Sequence, residues 1–508
     1  MADIISMAVV FIVLFVVFAI LGFGGARFRK ADLNQLFEWG LAGRRLGSIL
    51  QFFLQGADWY TAYSILAVPS AVFALGAYGF FGVAYQAMVF TFAMVFVPKL
   101  WEWSRKNGYI TGSDFIKDRF GSTALGIYTA AIGIAALIPY IALQIVGLQV
   151  ILASMLVGTA SAQLANEIGL IIAFIILAGF TYTSGLRGAT LGAVLKDILV
   201  WLSLIAVVVV TLLRIGSFDV AFSSAPPNYV TLNPSLAAAF TTSMLGVVLS
   251  AYLWPHNVNS SFGAQSTRKL RIAFALSILY AIPLALADLL GVAVQKVPEA
   301  MNFLNQFPAS TKGLFVIPSL LVNLTPSWFA GIALLGIFVG GLVPAAVMAI
   351  AQGNLIARNI AKEIKPNITQ KGEADIAKWA SAIFKFVALA FVFAIPATYA
   401  IQFYLVGAII ILQLFPALVI GAYSDWFKKE ALFTGSAVGI IAGIYMVLVV
   451  NKFGPITSTL YPTPLGSMYI GILSLLLNLL ITTVLSAIIP KRVKVAEKVP
   501  LAQKEDKN

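Results

Sequence analysis

Gln55-Gly56-Ala57-Asp58-Trp59-Tyr60-Thr61-Ala62-Tyr63-Ser64, with Pro69 following, interrupts an apolar run that opens near residue 48. Ala251-Tyr252-Leu253-Trp254-Pro255-His256-Asn257-Val258-Asn259-Ser260-Ser261 closes another run, which opens near residue 236. Lipid offers no water to freed backbone groups, so irregular polar backbone at membrane depth is tolerated only where it is buried in protein or lines a cavity. Unwound carbonyls and half-helix ends are what transport sites use to hold ions and substrates. Proline and glycine also occur in ordinary membrane helices, so either break alone is weak evidence. Two breaks in corresponding positions are stronger, and they predict a transport site near the bilayer midplane.

The composition requires a membrane setting. Of the 508 residues, 60% are hydrophobic and only 10% are charged, and the mean hydropathy is +0.95. Soluble domains carry about 25% charged residues, and no polar linker divides this chain, so a soluble enzyme is excluded. Apolar runs of membrane-spanning length, about 20 residues or more, number thirteen. They lie near 4–24, 48–75, 77–100, 122–156, 166–184, 190–214, 236–256, 270–294, 326–357, 379–401, 404–423, 432–450 and 466–488. The runs lack the dyad alternation of a barrel, so the expectation is an all-α polytopic membrane protein. This is too many runs for a cleaved signal peptide plus an anchor. With no cysteine, disulfides, thiolate metal sites and cysteine nucleophiles are excluded. A single histidine argues against a His-built zinc site or catalytic triad.

The net charge of +13 does not point to nucleic acid, because the basic residues lie in short loops between apolar runs. One side collects Arg27, Arg29, Lys30, Arg44, Arg45 and their counterparts in alternate loops, as well as the tail lysines. The other side has Arg214, Lys296, Lys312 and Lys452, a division of 27 against 4. The positive-inside rule then places the N-terminus outside and the C-terminus in the cytoplasm of a cell-membrane protein, as an odd number of spans requires. The lysine-rich tail, 489–508, reads as a solvated end, and the outer segment 295–325 as short helices or a lid.

The breaks lie five helices apart, in the first helices of two blocks, 48–214 and 236–423. Blocks with an odd number of helices insert in opposite directions, so the spacing predicts an inverted repeat with the site between its halves. Residues 1–24 precede this core, and 432–488 add two helices.

At these residues the chain resembles the sodium:solute symporter family. The stretch from Gly56-Ala57 to Pro69-Ser70-Ala71-Val72-Phe73 matches the family's first core helix without gaps. Glu38-Trp39-Gly40-Leu41-Ala42-Gly43-Arg44-Arg45 is similar to its entry, and Thr111 to Gly121 to its T-x-x-D-F-x-x-x-R-(F/Y)-G loop. Thr183 to Gly188 with Lys196-Asp197 adds a fourth match. Leu253-Trp254-Pro255-His256 and Leu342-Val343-Pro344 look closest to the monocarboxylate permeases of the family. The resemblance implies the thirteen-helix version of the leucine-transporter fold, a 5+5 inverted-repeat core and alternating access.

It also locates a cation site that departs from the family pattern. Family members that use sodium take backbone carbonyls at positions matching Ala57 and Tyr60. They add a carbonyl and a Ser/Thr pair at positions matching Ala346, Ala349 and Ile350. Methyl groups cannot coordinate a hard cation that wants oxygens, so the usual site is two ligands short. Asp58 stands one position before the acidic residue of the proline carriers, and Lys196, beside Asp197, replaces the usual threonine. In sodium-independent carriers of the wider fold a lysine on this core helix can occupy the sodium position. Charge near the bilayer centre costs about 2.5–3.5 kcal/mol on insertion scales. Lys196 is therefore open to three roles: a static pair with Asp197 or Asp58, a proton carrier, or a partner for a substrate carboxylate. His256 reads as a relay, a substrate contact, or a group holding freed carbonyls. Gln144 reads as a cavity residue or a packing residue. Thr61, Trp254 and Asn257 join them as substrate-binding candidates, while Asp288 and Lys385 are expected to snorkel.

The expected function is symport of a small organic solute, a monocarboxylate such as lactate, pyruvate or acetate, coupled to protons. The alternative is a sodium-coupled carrier for proline, sugar or another solute. An enzyme, sensor or channel is not expected: no nucleophile–base pair, output domain or filter motif is present. No cofactor, metal site or nucleic-acid partner is expected. The partners are substrate, coupling cation (H+ or Na+) and bilayer, and the oligomeric state stays open.

Overall fold

The computed structural model describes residues 3–27, 32–159, 162–394 and 400–490. Arg29, Lys30 and the tail residues 491–508 lie outside these. The first helix, α1 (Ile4–Gly24), turns Ile5, Val9, Ile12, Val16 and Ile20 outward and buries Met7, Phe11, Phe18 and Gly22. An apolar outer face is what a helix presents to lipid.

The first interrupted span consists of α2 (Ser48–Trp59), a π-helical turn over Tyr63–Ala67, and α3 (Val68–Leu75). It is followed by α4 (Phe81–Asn107), the short α5 (Gly112–Arg119) and α6 (Thr123–Leu156). Continuous helix is assigned through α7 (Ala162–Ile215), 54 residues in all. At 1.5 Å per residue that is about 80 Å, against about 30 Å of hydrocarbon. It therefore makes two crossings, turning at Gly185, whose φ of 56° and ψ of −143° suit a residue without Cβ.

The second interrupted span pairs α8 (Ala237–Ser250) with α9 (Pro255–Phe262). The segments on either side of the break bend by 44°. Pro255 explains the break: it has no N–H to continue the ladder, and its ring excludes Trp254 from helical geometry, leaving it at φ −59°, ψ 130°. Next come α10 (Thr267–Ser277) and α11 (Ala281–Ala293), which form one span. The 295–325 segment contains short helices, α12 (Pro298–Leu304) and α13 (Val316–Leu324).

Every residue of α14 (Ser327–Leu355) from Ala333 onward is buried, so this helix forms the axis of the bundle. It is apolar on all sides because protein surrounds it on all sides. The remaining helices are α15 (Gln370–Ala394), α16 (Ala400–Ile411), α17 (Lys429–Val450) and α18 (Ile470–Ile488). Among the described residues, eight helices are long and apolar enough to cross a bilayer, and two bent pairs raise this to ten. Taking α2–α3 apart from α4, α7 as two crossings and α15 as another accounts for the thirteen expected.

Two features differ from the expected runs. The 404–423 run is bent by 41° at Pro416, and the 466–488 run opens as a strand. That strand, β2 (Gly466–Tyr469), pairs antiparallel with β1 (Leu460–Thr463) before α18 begins at Ile470.

The Thr111–Gly121 motif acts as a staple between helices. Thr111 and Asp114 form a capping box at the start of α5. Asp114 also accepts from Asn359 Nδ2 at 2.7 Å and lies 3.5 Å from Arg358, which in turn reaches Glu373 at 3.3 Å. Arg119 Nε donates to the Gly421 carbonyl at 2.9 Å. The motif thereby joins α5 to the end of α14, the start of α15 and the far end of the bent 404–423 run.

Candidate transport site

Each break leaves backbone groups without helical partners, and neighbouring side chains satisfy some of them. In the first break, Ser64 Oγ donates to the Trp59 carbonyl at 2.6 Å and accepts from the Thr61 N–H at 3.1 Å. Gln144 Oε1, on α6, accepts from the Ala62 N–H at 2.9 Å. In the second, Asn257 Nδ2 donates to the Ala251 carbonyl at 2.5 Å. The two breaks also bond to each other. Ser260 Oγ donates to Asp58 Oδ2 at 2.5 Å, Gln51 Nε2 to the Ser260 carbonyl at 2.8 Å, and Tyr252 OH to Gln55 Oε1 at 2.9 Å.

Lys196, on the second crossing of α7, is fully buried. Its Nζ pairs with Asp197 Oδ1 at 2.8 Å, donates to the Gly56 carbonyl at 2.8 Å and lies 5.6 Å from the centre of the Tyr60 ring. Asp197 Oδ2 accepts from Tyr280 OH at 2.7 Å. Gly56 makes room for this cluster, since a Cβ there would collide with Tyr280 OH and Asp197 Oδ2. The salt bridge of Lys196 is thus with Asp197 and not with Asp58, and its charge is held against the carbonyl adjoining Ala57. Ala57, Tyr60, Ala346, Ala349 and Ile350 are all buried, the last three on α14. The Tyr60 carbonyl comes up against α14 at Gly340, and Tyr60 OH donates to the Tyr280 carbonyl at 3.2 Å.

Beside Asp58 the site becomes aromatic. Tyr63 stacks on Tyr404 at 4.2 Å, and Tyr140 stands 4.9 Å from both Trp254 and Tyr404 and 5.5 Å from His256. Trp59 meets Tyr85 edge-on at 5.8 Å. Asp58 Oδ1, Trp59 Nε1, Tyr63 OH, Asn257 Oδ1, Asn259 Nδ2 and both His256 nitrogens are buried without a hydrogen-bond partner, while Trp254 bonds to Tyr404. Folded proteins leave few buried polar atoms unmet, so such a concentration calls for an explanation. Aromatic faces with a few convergent polar groups are how small-ligand sites are built. A narrow cleft with room for about 20 Å³ of water-sized centres lies between α5 and the second break, bordered by Ser113, Ile116, Leu253, Pro255, Val258 and Leu418.

The structure changes several expectations. His256 does not hold freed carbonyls; that task falls to Asn257, and the imidazole stands free against Tyr140. Gln144 caps the first break, a role between the two expected for it. Asp288 and Lys385 do not snorkel: both are fully buried, with Gln86 Nε2 donating to Asp288 Oδ2 at 3.2 Å and Lys385 Nζ to Ser381 Oγ at 3.2 Å. Tyr85, Tyr140, Tyr280 and Tyr404 were not among the candidates, because nothing in their local sequence separates them from packing residues; Tyr63 and Ser260 stand inside the two breaks without having been singled out there. Among the described residues no group of three or more His, Cys, Asp or Glu side chains could hold a metal ion.

Comparison with known proteins gives a consistent answer. The model of the sodium:solute symporter family matches residues 39–439. A monocarboxylate transport permease protein of Rhizobium johnstonii is 35% identical over 499 residues, covering 96% of this chain and 97% of that protein. The uncharacterized symporter YodF of Bacillus subtilis is 31% identical, covering 83% of each. Among solved structures, the substrate-bound, outward-open state of a Na+-coupled sialic acid symporter superposes with a TM-score of 0.76. The two share 12% identity over 96% of this chain and 98% of the other, a likeness of fold. The leucine-transporter-type architecture that the family resemblance implies is the architecture of this chain, and family and fold are those of transporters, not enzymes.

Proposed function

The chain belongs to the sodium:solute symporter family, and on that premise we propose that it carries a small monocarboxylate, such as lactate, pyruvate or acetate, together with a proton. The observation that carries this reading is the set of buried, unpartnered donors at the two breaks. Trp59 Nε1, Tyr63 OH and the His256 imidazole stand among aromatic rings, and Asn259 Nδ2 lies on the same short helix as His256. Donors of this kind take a carboxylate, and the N-terminal end of α9 adds the positive end of a helix dipole. The rings of Tyr63, Tyr140 and Tyr404, packed 4.2 and 4.9 Å apart, offer apolar faces to a short hydrocarbon portion. The relative named as a monocarboxylate transport permease supports the same substrate class.

Proton coupling is supported by what stands near the usual sodium position. The lysine ammonium at the Gly56 carbonyl is a fixed positive charge where a sodium ion would add another, and Ala349 and Ile350 offer methyl groups where hydroxyls are needed. Asp58, Lys196 and Asp197 are the groups able to exchange a proton there. In this reading residues 48–214 and 236–423 are the two inversely inserted halves, with 1–24 and 432–488 outside the core. The N-terminus is extracellular and the 489–508 tail cytoplasmic, as the division of basic residues, 27 against 4, requires of a cell-membrane protein.

Counterflow in proteoliposomes, with labelled carboxylates, amino acids and sugars at varied pH and sodium, tests the proposal. The expected result is exchange of a short monocarboxylate and accumulation that persists without sodium and collapses with a protonophore. Strict sodium dependence, or preference for proline or sugar, would refute it.

A further inference from the structure

Outside the two breaks, one buried pair of side chains has its hydrogen bonding half made. Asp288 on α11 and Gln86 on α4 are both fully buried, and Gln86 Nε2 donates to Asp288 Oδ2 at 3.2 Å. The remaining polar atom of each group, Asp288 Oδ1 and Gln86 Oε1, has no donor. A carboxylate cannot complete this arrangement, because both remaining atoms accept and neither donates. A carboxylic acid completes it: Oδ1–H donates to Gln86 Oε1 while Gln86 Nε2–H donates to Oδ2. The result is a cyclic acid–amide pair in which the two oxygens of the acid and the oxygen and nitrogen of the amide are all used.

Among the described residues no cation compensates a charge at this place. Neither α3 nor α13, which pack against α11, contains a titratable residue. The neighbouring α4 brings Tyr85, and the π-helical turn brings Tyr63. From α7 come Lys196 and Asp197, which pair with each other, and Arg214, which pairs with Glu299; Tyr280, just before α11, bonds to Asp197. Asp219 and Lys296, in segments touching α11, are exposed. Among the described residues Asp288 has no ion-pair partner.

The pair is also placed where transport must move the chain. Tyr85, next to Gln86, meets Trp59 of the first break, and Gly291, three residues beyond Asp288, lies against the Pro69 carbonyl of α3. We propose that Asp288 is a second proton-binding site. It is loaded as the acid while paired with Gln86 and discharged to water when α4 and α11 part; only its O–H bond forms and breaks. This rests on the proton-coupled reading above and adds a site outside the Asp58–Lys196–Asp197 cluster.

Asp288→Asn tests the assignment, because an amide preserves the paired geometry of the acid and cannot release the proton. In proteoliposomes D288N is expected to retain substrate exchange within twofold of wild type and to lose proton-gradient-driven accumulation by tenfold or more. Gln86→Leu, which removes the partner and keeps the acid, is expected to shift the pH midpoint of net uptake by at least one unit with exchange intact. It decides the matter if D288N fails to reach the membrane. D288N accumulation at the wild-type level, parallel loss of exchange and accumulation in folded protein, or an unmoved midpoint in Q86L would each overturn the Asp288 site alone. Wild-type accumulation driven by sodium and indifferent to a protonophore would overturn the coupling reading as well.

Discussion

Replacing Lys196 by methionine removes the positive charge from the centre of the site while keeping most of the apolar stem. Two contacts vanish: the ion pair to Asp197 and the hydrogen bond to the Gly56 carbonyl, both 2.8 Å and both buried. Breaking a buried pair from one side costs about 3–5 kcal/mol, since the remaining charge is uncompensated. Asp197 keeps the Tyr280 hydroxyl, a hydrogen bond to a charged group worth about 1.5–3 kcal/mol, so the loss is expected near the lower end, about 3 kcal/mol. In K196M/D197N no charge is left unpaired, and the amide that replaces the carboxylate still accepts from the Tyr280 hydroxyl. The double variant should therefore recover about 2 kcal/mol relative to K196M. Equilibrium unfolding in mixed micelles, followed by tryptophan fluorescence, measures both differences. Proteoliposome uptake in parallel should show protonophore-sensitive accumulation lost in K196M. Stability of K196M within about 1 kcal/mol of wild type, or a double variant no better than the single one, would show that the pair does not hold the site as its geometry indicates.

Other expectations follow from the same geometry. His256→Ala should weaken monocarboxylate binding about tenfold or more, the worth of one hydrogen bond to an anion; calorimetry giving an unchanged Kd would remove the imidazole from the site. Tyr404→Ala opens the aromatic wall beside Tyr63 and Tyr140, so it should raise KM for short substrates and admit longer ones. Unaltered chain-length selectivity would count against a size limit set by these rings. Asp114→Ala cuts the capping box and the bond to Asn359 and should cost about 2 kcal/mol, read as a lower thermal midpoint in detergent. The triple variant K196T/A349S/I350T restores the hydroxyls and removes the ammonium, and sodium should stimulate its uptake; indifference to sodium would mean that these three positions do not decide the coupling ion.

Apolar run lengths and the two polar interruptions were enough to infer the bundle, its span count and the positions of the breaks. These follow from local rules: lipid forbids unsatisfied backbone, a helix has a fixed rise, and Pro255 cannot donate. The bend at Pro416 and the hairpin before α18 escaped because a short apolar run reads alike as helix, bent helix or strand. Asp58, Lys196 and His256 stood out because charge or imidazole inside an apolar run is costly. Their partners were invisible. Ser260 at Asp58, the Gly56 carbonyl at Lys196 and Asn257 in the role expected of His256 are decided by how helices lie against one another. The tyrosine wall and the Asp288–Gln86 pair belong to the same class, assembled from residues far apart in the chain. Periodicity and polarity reveal which segments enter the membrane. Which polar atoms meet there, and which are left unmet, depends on the rotation and offset of packed helices, a property of the assembled bundle.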